Sequence, residues 1–170
     1  MSSSFIIELF DKKTHEIKDF TCGVKELDRY LKEKAGQDIK KSVSAVYILR
    51  ENGSNKVLGY FTLSSYSIVL TDLPSSITKR LPKYPSIPTT LLGRLAVDSS
   101  FQGKGLGEYL LMDALKRSYD LSRKIGSFAV IVDAKNKENR SFYERFGFNP
   151  FKNKSVTLYL PMNTIKELIS

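Results

Sequence analysis

Between Val97 and Gly107 the chain reads Val97-Asp98-Ser99-Ser100-Phe101-Gln102-Gly103-Lys104-Gly105-Leu106-Gly107, with three glycines in five residues. Leu91 to Val97 before it is an apolar, strand-like run. Gly105 to Ser122 after it has helical spacing at Leu106, Leu110, Leu111, Ala114 and Leu115. A chain that leaves a strand through glycines and opens a helix at once is committed to a βα unit. It also directs unblocked backbone N–H groups and the positive helix end at one point, which makes a cradle for a diphosphate. Two familiar phosphate loops do not fit: G-x-x-x-x-G-K-[ST] is absent, and G-x-G-x-x-G would need glycine at position 108, where Glu108 stands.

Around this loop the chain reads as strand, helix, hairpin, then strand-helix-strand-helix-strand. Phe5 to Phe10 is a short apolar strand, and Val24, Leu27, Leu31 and Ala35 give the next helix one buried stripe with a basic outer face. Val43 to Leu49 and Val57 to Val69, separated by Glu51-Asn52-Gly53-Ser54-Asn55, form an antiparallel hairpin. Pro74, Pro82, Pro85 and Pro88 mark a short helix followed by an extended loop, because proline neither continues a helix nor sits in a central strand. Leu91 to Val132 is then a right-handed crossover between parallel strands, with Ala129-Val130-Ile131-Val132 as a strand buried on both faces. Asn139 to Phe146 is a short helix and Val156 to Leu160 a last strand. The fold class is α/β, with helices packed on a mixed sheet.

Composition narrows the chemistry. The 170 residues suit one domain, 1–170, with one core. One Cys and one His exclude a disulfide framework and a zinc site, so no metal is expected. His15, beside Glu16 and without a G-x-S-x-G elbow, does not make a serine hydrolase. Met1-Ser2-Ser3-Ser4 opens no secretory signal, and the uncharged stretch Val57 to Thr71 falls short of a membrane span, so the expected setting is the cytoplasm, without membrane. Twenty-seven Lys and Arg against 18 Asp and Glu leave +9 on a chain that is 41% hydrophobic, a folded domain with a basic surface suited to a polyanion.

Gln102 to Gly107 spells Q-x-x-G-x-G. Further on, Asn136 is followed by Tyr143 seven residues later and by Gly147-Phe148. In order and spacing these elements resemble the GNAT superfamily of N-acetyltransferases. The resemblance implies a mostly antiparallel mixed sheet whose central parallel strands splay apart, with helices on both faces, and acetyl-CoA as acetyl donor. Leu95, Ala96 and Val97 would bind the pantetheine arm, and Gln102, Gly103, Lys104, Gly105, Leu106 and Gly107 the pyrophosphate. Asn136 would lie at the pantetheine, and Tyr143 would give a proton to the departing thiolate. Phe142, Tyr143, Phe146 and Phe148 equally read as an amphipathic helix with aromatic core residues and a glycine cap.

The front half adds Phe20-Thr21-Cys22-Gly23, Leu27-Asp28 and, after the prolines, Leu92-Gly93-Arg94-Leu95-Ala96-Val97-Asp98. This pattern resembles the acetyltransferase toxins of bacterial toxin–antitoxin pairs, and implies aminoacyl-tRNA as substrate, a homodimer, and a ribbon-helix-helix antitoxin as partner. Cys22-Gly23 and Leu27-Asp28 also read as plain packing and capping residues. Lys and Arg cluster at 29–41, 79–83, 116–124 and 135–145, as an acidic polymer substrate requires. The alternatives on the same fold are an acetyltransferase of small-molecule or protein amines and a non-catalytic CoA-binding module. No residue stands out as a general base.

Overall fold

A computed structural model describes residues 4–152 and 154–170; the Met1-Ser2-Ser3 start lies outside them. Seven strands form one sheet in the order β1-β2-β3-β4-β5-β7-β6. They are β1 (Phe5–Leu9), β2 (Ala45–Glu51), β3 (Gly59–Val69), β4 (Ser86–Val97), β5 (Ala129–Asp133), β6 (Asn149–Phe151) and β7 (Lys154–Pro161). β4 and β5 are parallel, while β1–β2, β2–β3, β5–β7 and β6–β7 are antiparallel. The helices are α1 (Lys25–Arg29), α2 (Ala35–Lys40), α3 (Ser75–Thr78), α4 (Leu106–Ser122), α5 (Lys137–Glu144) and α6 (Met162–Ile169). Among the described residues no helix is long and apolar enough to cross a membrane.

The chain divides into two compact units, Met1–Ser64 with Arg94–Ala114, and Ser65–Gly93 with Leu115–Ser170. In the first, Phe20, Tyr30, Leu31, Val46, Ile48, Tyr60 and Ala96 share one core. In the second, Ile68, Leu73, Ile87, Ile131, Phe151 and Tyr159 share another. Every residue of Ala129-Val130-Ile131-Val132 is buried, as a central strand should be. Along α4 the expected stripe of Leu106, Leu110, Leu111, Ala114 and Leu115 is buried, with Ser118 continuing it.

Four expectations are corrected. β4 begins at Ser86, so Pro88 lies in a strand: proline lacks only the donor, and its carbonyl accepts from Phe128 N–H at 2.8 Å. The helix after Gly23 is not uniform, because a π-helical turn at Tyr30–Lys34 separates α1 from α2. The short helix starts two residues earlier than expected, at Lys137. β6 and α6 escaped the sequence reading, β6 being three residues long with a central proline, and α6 showing only Met162 and Ile165 fully inside.

One polar cluster holds β1. Glu8 accepts from Arg50 Nε at 2.8 Å and lies 2.6 Å from His15 Nε2, while Asp11 N–H donates to His15 Nδ1 at 2.9 Å. The Asp11 bond takes the Nδ1 lone pair, so the ring proton sits on Nε2, facing Glu8. Arg50 first, and His15 after it, lower the Glu8 carboxyl from 4.5 to about 2. A depressed carboxylate stabilises the fold fully above its ordinary value, and that contribution fades as pH falls from about 5 towards 2. Glu8→Gln should therefore melt below the parent protein at pH 7, with a gap that closes on acidification; thermal denaturation between pH 2.5 and 7 measures it, and a constant gap would contradict it.

Candidate active site

β4 pairs with β5 at Thr90↔Val130 and Leu91↔Ile131, and the parallel register goes no further. Both pairs lie in the second unit. In the first unit, the end of β4 brings Leu95, Ala96 and Val97 up to the glycine loop, with Ala96 buried and its two neighbours half-buried. Gly103 and Gly105 both have φ +79, and a Cβ at either would meet nothing within 4 Å. Glycine is needed here for its backbone conformation and not for lack of space. Gln102, Gly103, Lys104 and Gly105 are exposed, and Lys104 Nζ sits 4.9 Å from the centre of the Phe101 ring. Leu106 is buried and opens the 17-residue α4, whose first-turn N–H groups, that of Gly107 included, have no intrahelical acceptor. Exposed amides, a lysine and a helix N-terminus fit a bound diphosphate.

Gln102 ties the loop to the strand before it and to the front of the chain. Its amide nitrogen donates to Val97 O and to Cys22 O, both at 2.9 Å, so the side chain is committed to the loop's own framework. Asp98, 3% exposed, accepts from Ser100 N–H at 2.9 Å and Thr21 N–H at 3.2 Å. Sequence reasoning gave Asp98 no role, although it noted the residue after Val97. Nearby, Arg94 lies 3.5 Å over the Tyr30 ring, whose hydroxyl donates to Asp38 at 2.7 Å. Burial, then the Asp38 bond, pushes the Tyr30 phenol up to about 12. Burial and the neighbouring Asp28 push the Cys22 thiol up to about 11, so it stays protonated and is a core residue.

The second unit holds Asn136 and Tyr143. Asn136 caps α5, its side-chain oxygen accepting from Asn139 N–H at 2.8 Å. Tyr143 is 8% exposed, with ring contacts to Phe142 at 5.1 Å and Phe148 at 5.4 Å. Burial raises its phenol above the ordinary tyrosine value, so the hydroxyl stays protonated at neutral pH. Phe142 and Phe146, the expected core pair, contact each other at 5.6 Å but are only half-buried. Gly147, at φ +96, ends the helix and lets the chain turn towards Phe148.

Residues 42–150 match the family model described as an acetyltransferase (GNAT) domain. The chain belongs to the GNAT acetyltransferase family. It is an acetyl-CoA-dependent N-acetyltransferase, with acetyl-CoA as the donor. A tRNA-acetylating toxin of Mycobacterium tuberculosis (strain ATCC 25618 / H37Rv) is 33% identical over 154 residues, covering 91% of this chain and 90% of that protein. AtaT complexed with acetyl-methionyl-tRNAfMet is 31% identical, with TM-score 0.90 over 98% of this chain and all of the other. A Tyr→Phe variant of AtaT, bound to the C-terminus of the antitoxin AtaR and acetyl-CoA, is 27% identical, with TM-score 0.83 over 98% of each chain.

A close approach shapes the end of β4 in this acetyltransferase. A Cβ at Gly59 of β3 would lie 2.9 Å from the Ala96 carbonyl oxygen and 2.9 Å from Leu110 Cδ1. Gly59→Ala must push backbone aside, and it should lower the unfolding free energy by about 1–3 kcal/mol. Chemical denaturation measures this, and an unchanged midpoint would contradict the close packing.

Proposed function

We propose that the enzyme acetylates the α-amino group of an aminoacyl-tRNA and thereby blocks translation, as the toxin of a toxin–antitoxin pair. The end-to-end likeness to AtaT, solved with an acetylated aminoacyl-tRNA, carries this reading. The charge agrees with it. Lys79, Arg80 and Lys83 are exposed and enter no ion pair among the described residues, whereas Arg29, Lys116 and Arg140 sit in i,i+4 pairs with acids. Tyr84, 63% exposed, stands beside them as an aromatic face of the kind that bases stack on. The whole chain, 1–170, works as one acetyltransferase domain, in the cytoplasm and as a homodimer. A ribbon-helix-helix antitoxin is its partner, in keeping with the AtaR segment bound to AtaT.

Acetyl-CoA supplies the activated acetyl group. In our reading the amides of Gly103 to Gly107, with Lys104, neutralise its pyrophosphate, and Asn136 contributes at the pantetheine. N–H groups of Leu95, Ala96 and Val97 polarise the acetyl carbonyl as charge grows on its oxygen. The amine nitrogen would bond the acetyl carbon; as the carbon–sulfur bond breaks, Tyr143 Oη would give its proton to the sulfur, the nitrogen would lose one to solvent, and Tyr143 would regain a proton from solvent. No strong base is required, because an α-amino group with a pKa near ~7.7–8.0 is substantially neutral at cellular pH, unlike lysine at ~10.4.

Labelled acetyl-CoA incubated with total charged tRNA should leave label on the aminoacyl moiety. Label that enters only polyamines or protein would overturn the tRNA assignment and favour a small-amine or protein-amine enzyme. In the same assay Tyr143→Phe should lower kcat by about 10²–10⁴ while acetyl-CoA binding holds. Unchanged turnover would remove Tyr143 from the mechanism.

A further inference from the structure

The front motif, Thr21-Cys22-Gly23 with Asp28, is bonded to the glycine loop about 80 positions later. Thr21 O accepts from Ser99 N–H at 2.7 Å, and Cys22 O accepts from Gln102 Nε2 at 2.9 Å. Thr21 N–H returns to Asp98 at 3.2 Å. Asp28, in the first turn of α1, holds this segment in place: its carboxylate accepts from Cys22 N–H at 2.9 Å and from Thr21 Oγ1 at 3.2 Å. Gly23, at φ +93, makes the sharp exit from the segment that this arrangement needs.

Apolar packing contributes little at the loop itself. Residues 102–105 are exposed, and the two positive-φ glycines face open space. Its shape is therefore set by hydrogen bonds, and each one lost returns conformational freedom that coenzyme binding must remove again.

We propose that Asp28 is a positioning residue for the coenzyme: through the backbone of Thr21 and Cys22 it holds the Gln102–Gly107 loop in its diphosphate-binding shape before acetyl-CoA arrives. This rests on the reading that the loop takes the pyrophosphate. The two bonds Asp28 makes go to Thr21 and Cys22, so a brace acting through them changes ground-state binding and spares the chemical step. The effect also depends on the diphosphate, and a thioester donor without one should not sense it.

The test compares acetyl-CoA with S-acetylpantetheine, which lacks the diphosphate, in the full chain. Asp28→Ala should raise the KM for acetyl-CoA about tenfold, the equivalent of one net hydrogen bond, with kcat within about twofold. Its kcat/KM with S-acetylpantetheine should match the parent enzyme. Asp28→Asn, which keeps an acceptor for Cys22 N–H, should recover most of the affinity. Should Asp28→Ala fold poorly, Gln102→Ala removes an exposed side chain from the same ties and should show the same donor-dependent loss. Equal losses with both donors would make Asp28 a merely structural residue, and no loss with either would also overturn the proposal. Gly105→Val separates the two readings, since a β-branched residue resists φ +79. If it leaves acetyl-CoA affinity intact, the loop assignment fails and the proposal with it. If it weakens acetyl-CoA while Asp28→Ala and Gln102→Ala do not, the brace alone is wrong.

Discussion

At the end of β4 the backbone must leave a sheet, pass two glycines at φ +79 and enter α4 within nine residues, and the polar groups this exposes must find partners. The solution is a short series of hydrogen bonds centred on Asp98 and Gln102. Asp98 is buried and takes two N–H groups, while Gln102 Nε2 ties the loop to Val97 O at its start and to Cys22 O from the front of the chain. These bonds decide where the first turn of α4 points, and so where amides are offered to an anion. The same stretch sits against Gly59, where no side chain fits, so strand, loop and helix are fixed together.

On the proposed function, the +9 charge serves two kinds of anion. At the loop, backbone dipoles matter more than side chains, and Lys104 is the one cation of Gln102 to Gly107. Elsewhere lysines and arginines exceed what a diphosphate would use. Several are matched by acids one helical turn away, but among the described residues the exposed set at Lys79, Arg80 and Lys83 is not. An enzyme working on a polyanion gains from such a surface in encounter rate and in salt-dependent affinity.

The glycine loop, the amphipathic α4 and the β2–β3 hairpin were legible in the sequence because each is a local pattern: glycine spacing, helical periodicity, a turn rich in Asn and Gly. The burial of Tyr143 and Phe148 was legible in the aromatic spacing of the short helix and its glycine end. What sequence could not give was long-range pairing. Nothing local says that Thr21 and Cys22 bond Ser99 and Gln102, so the front motif read as capping or as a mark of substrate. Pro88 misled because proline statistics describe the missing donor, and its carbonyl, which accepts from Phe128, was the group the sheet needed. Asn136 carries a helix cap that its place in a coenzyme motif had obscured. In α6 a signal was present, Met162 and Ile165 three residues apart after Pro161, and it was overlooked beside stronger motifs.

The central claim is that the loop is built for the diphosphate before the donor binds. A crystal structure of the full chain with acetyl-CoA tests it most directly. The account predicts diphosphate oxygens at about 3 Å from amides of Gly103 to Gly107, with Gly103 and Gly105 still at positive φ and the Gln102 bonds to Val97 and Cys22 intact. A diphosphate bound elsewhere, or a loop that reorders with Gln102 released from both carbonyls, would contradict it.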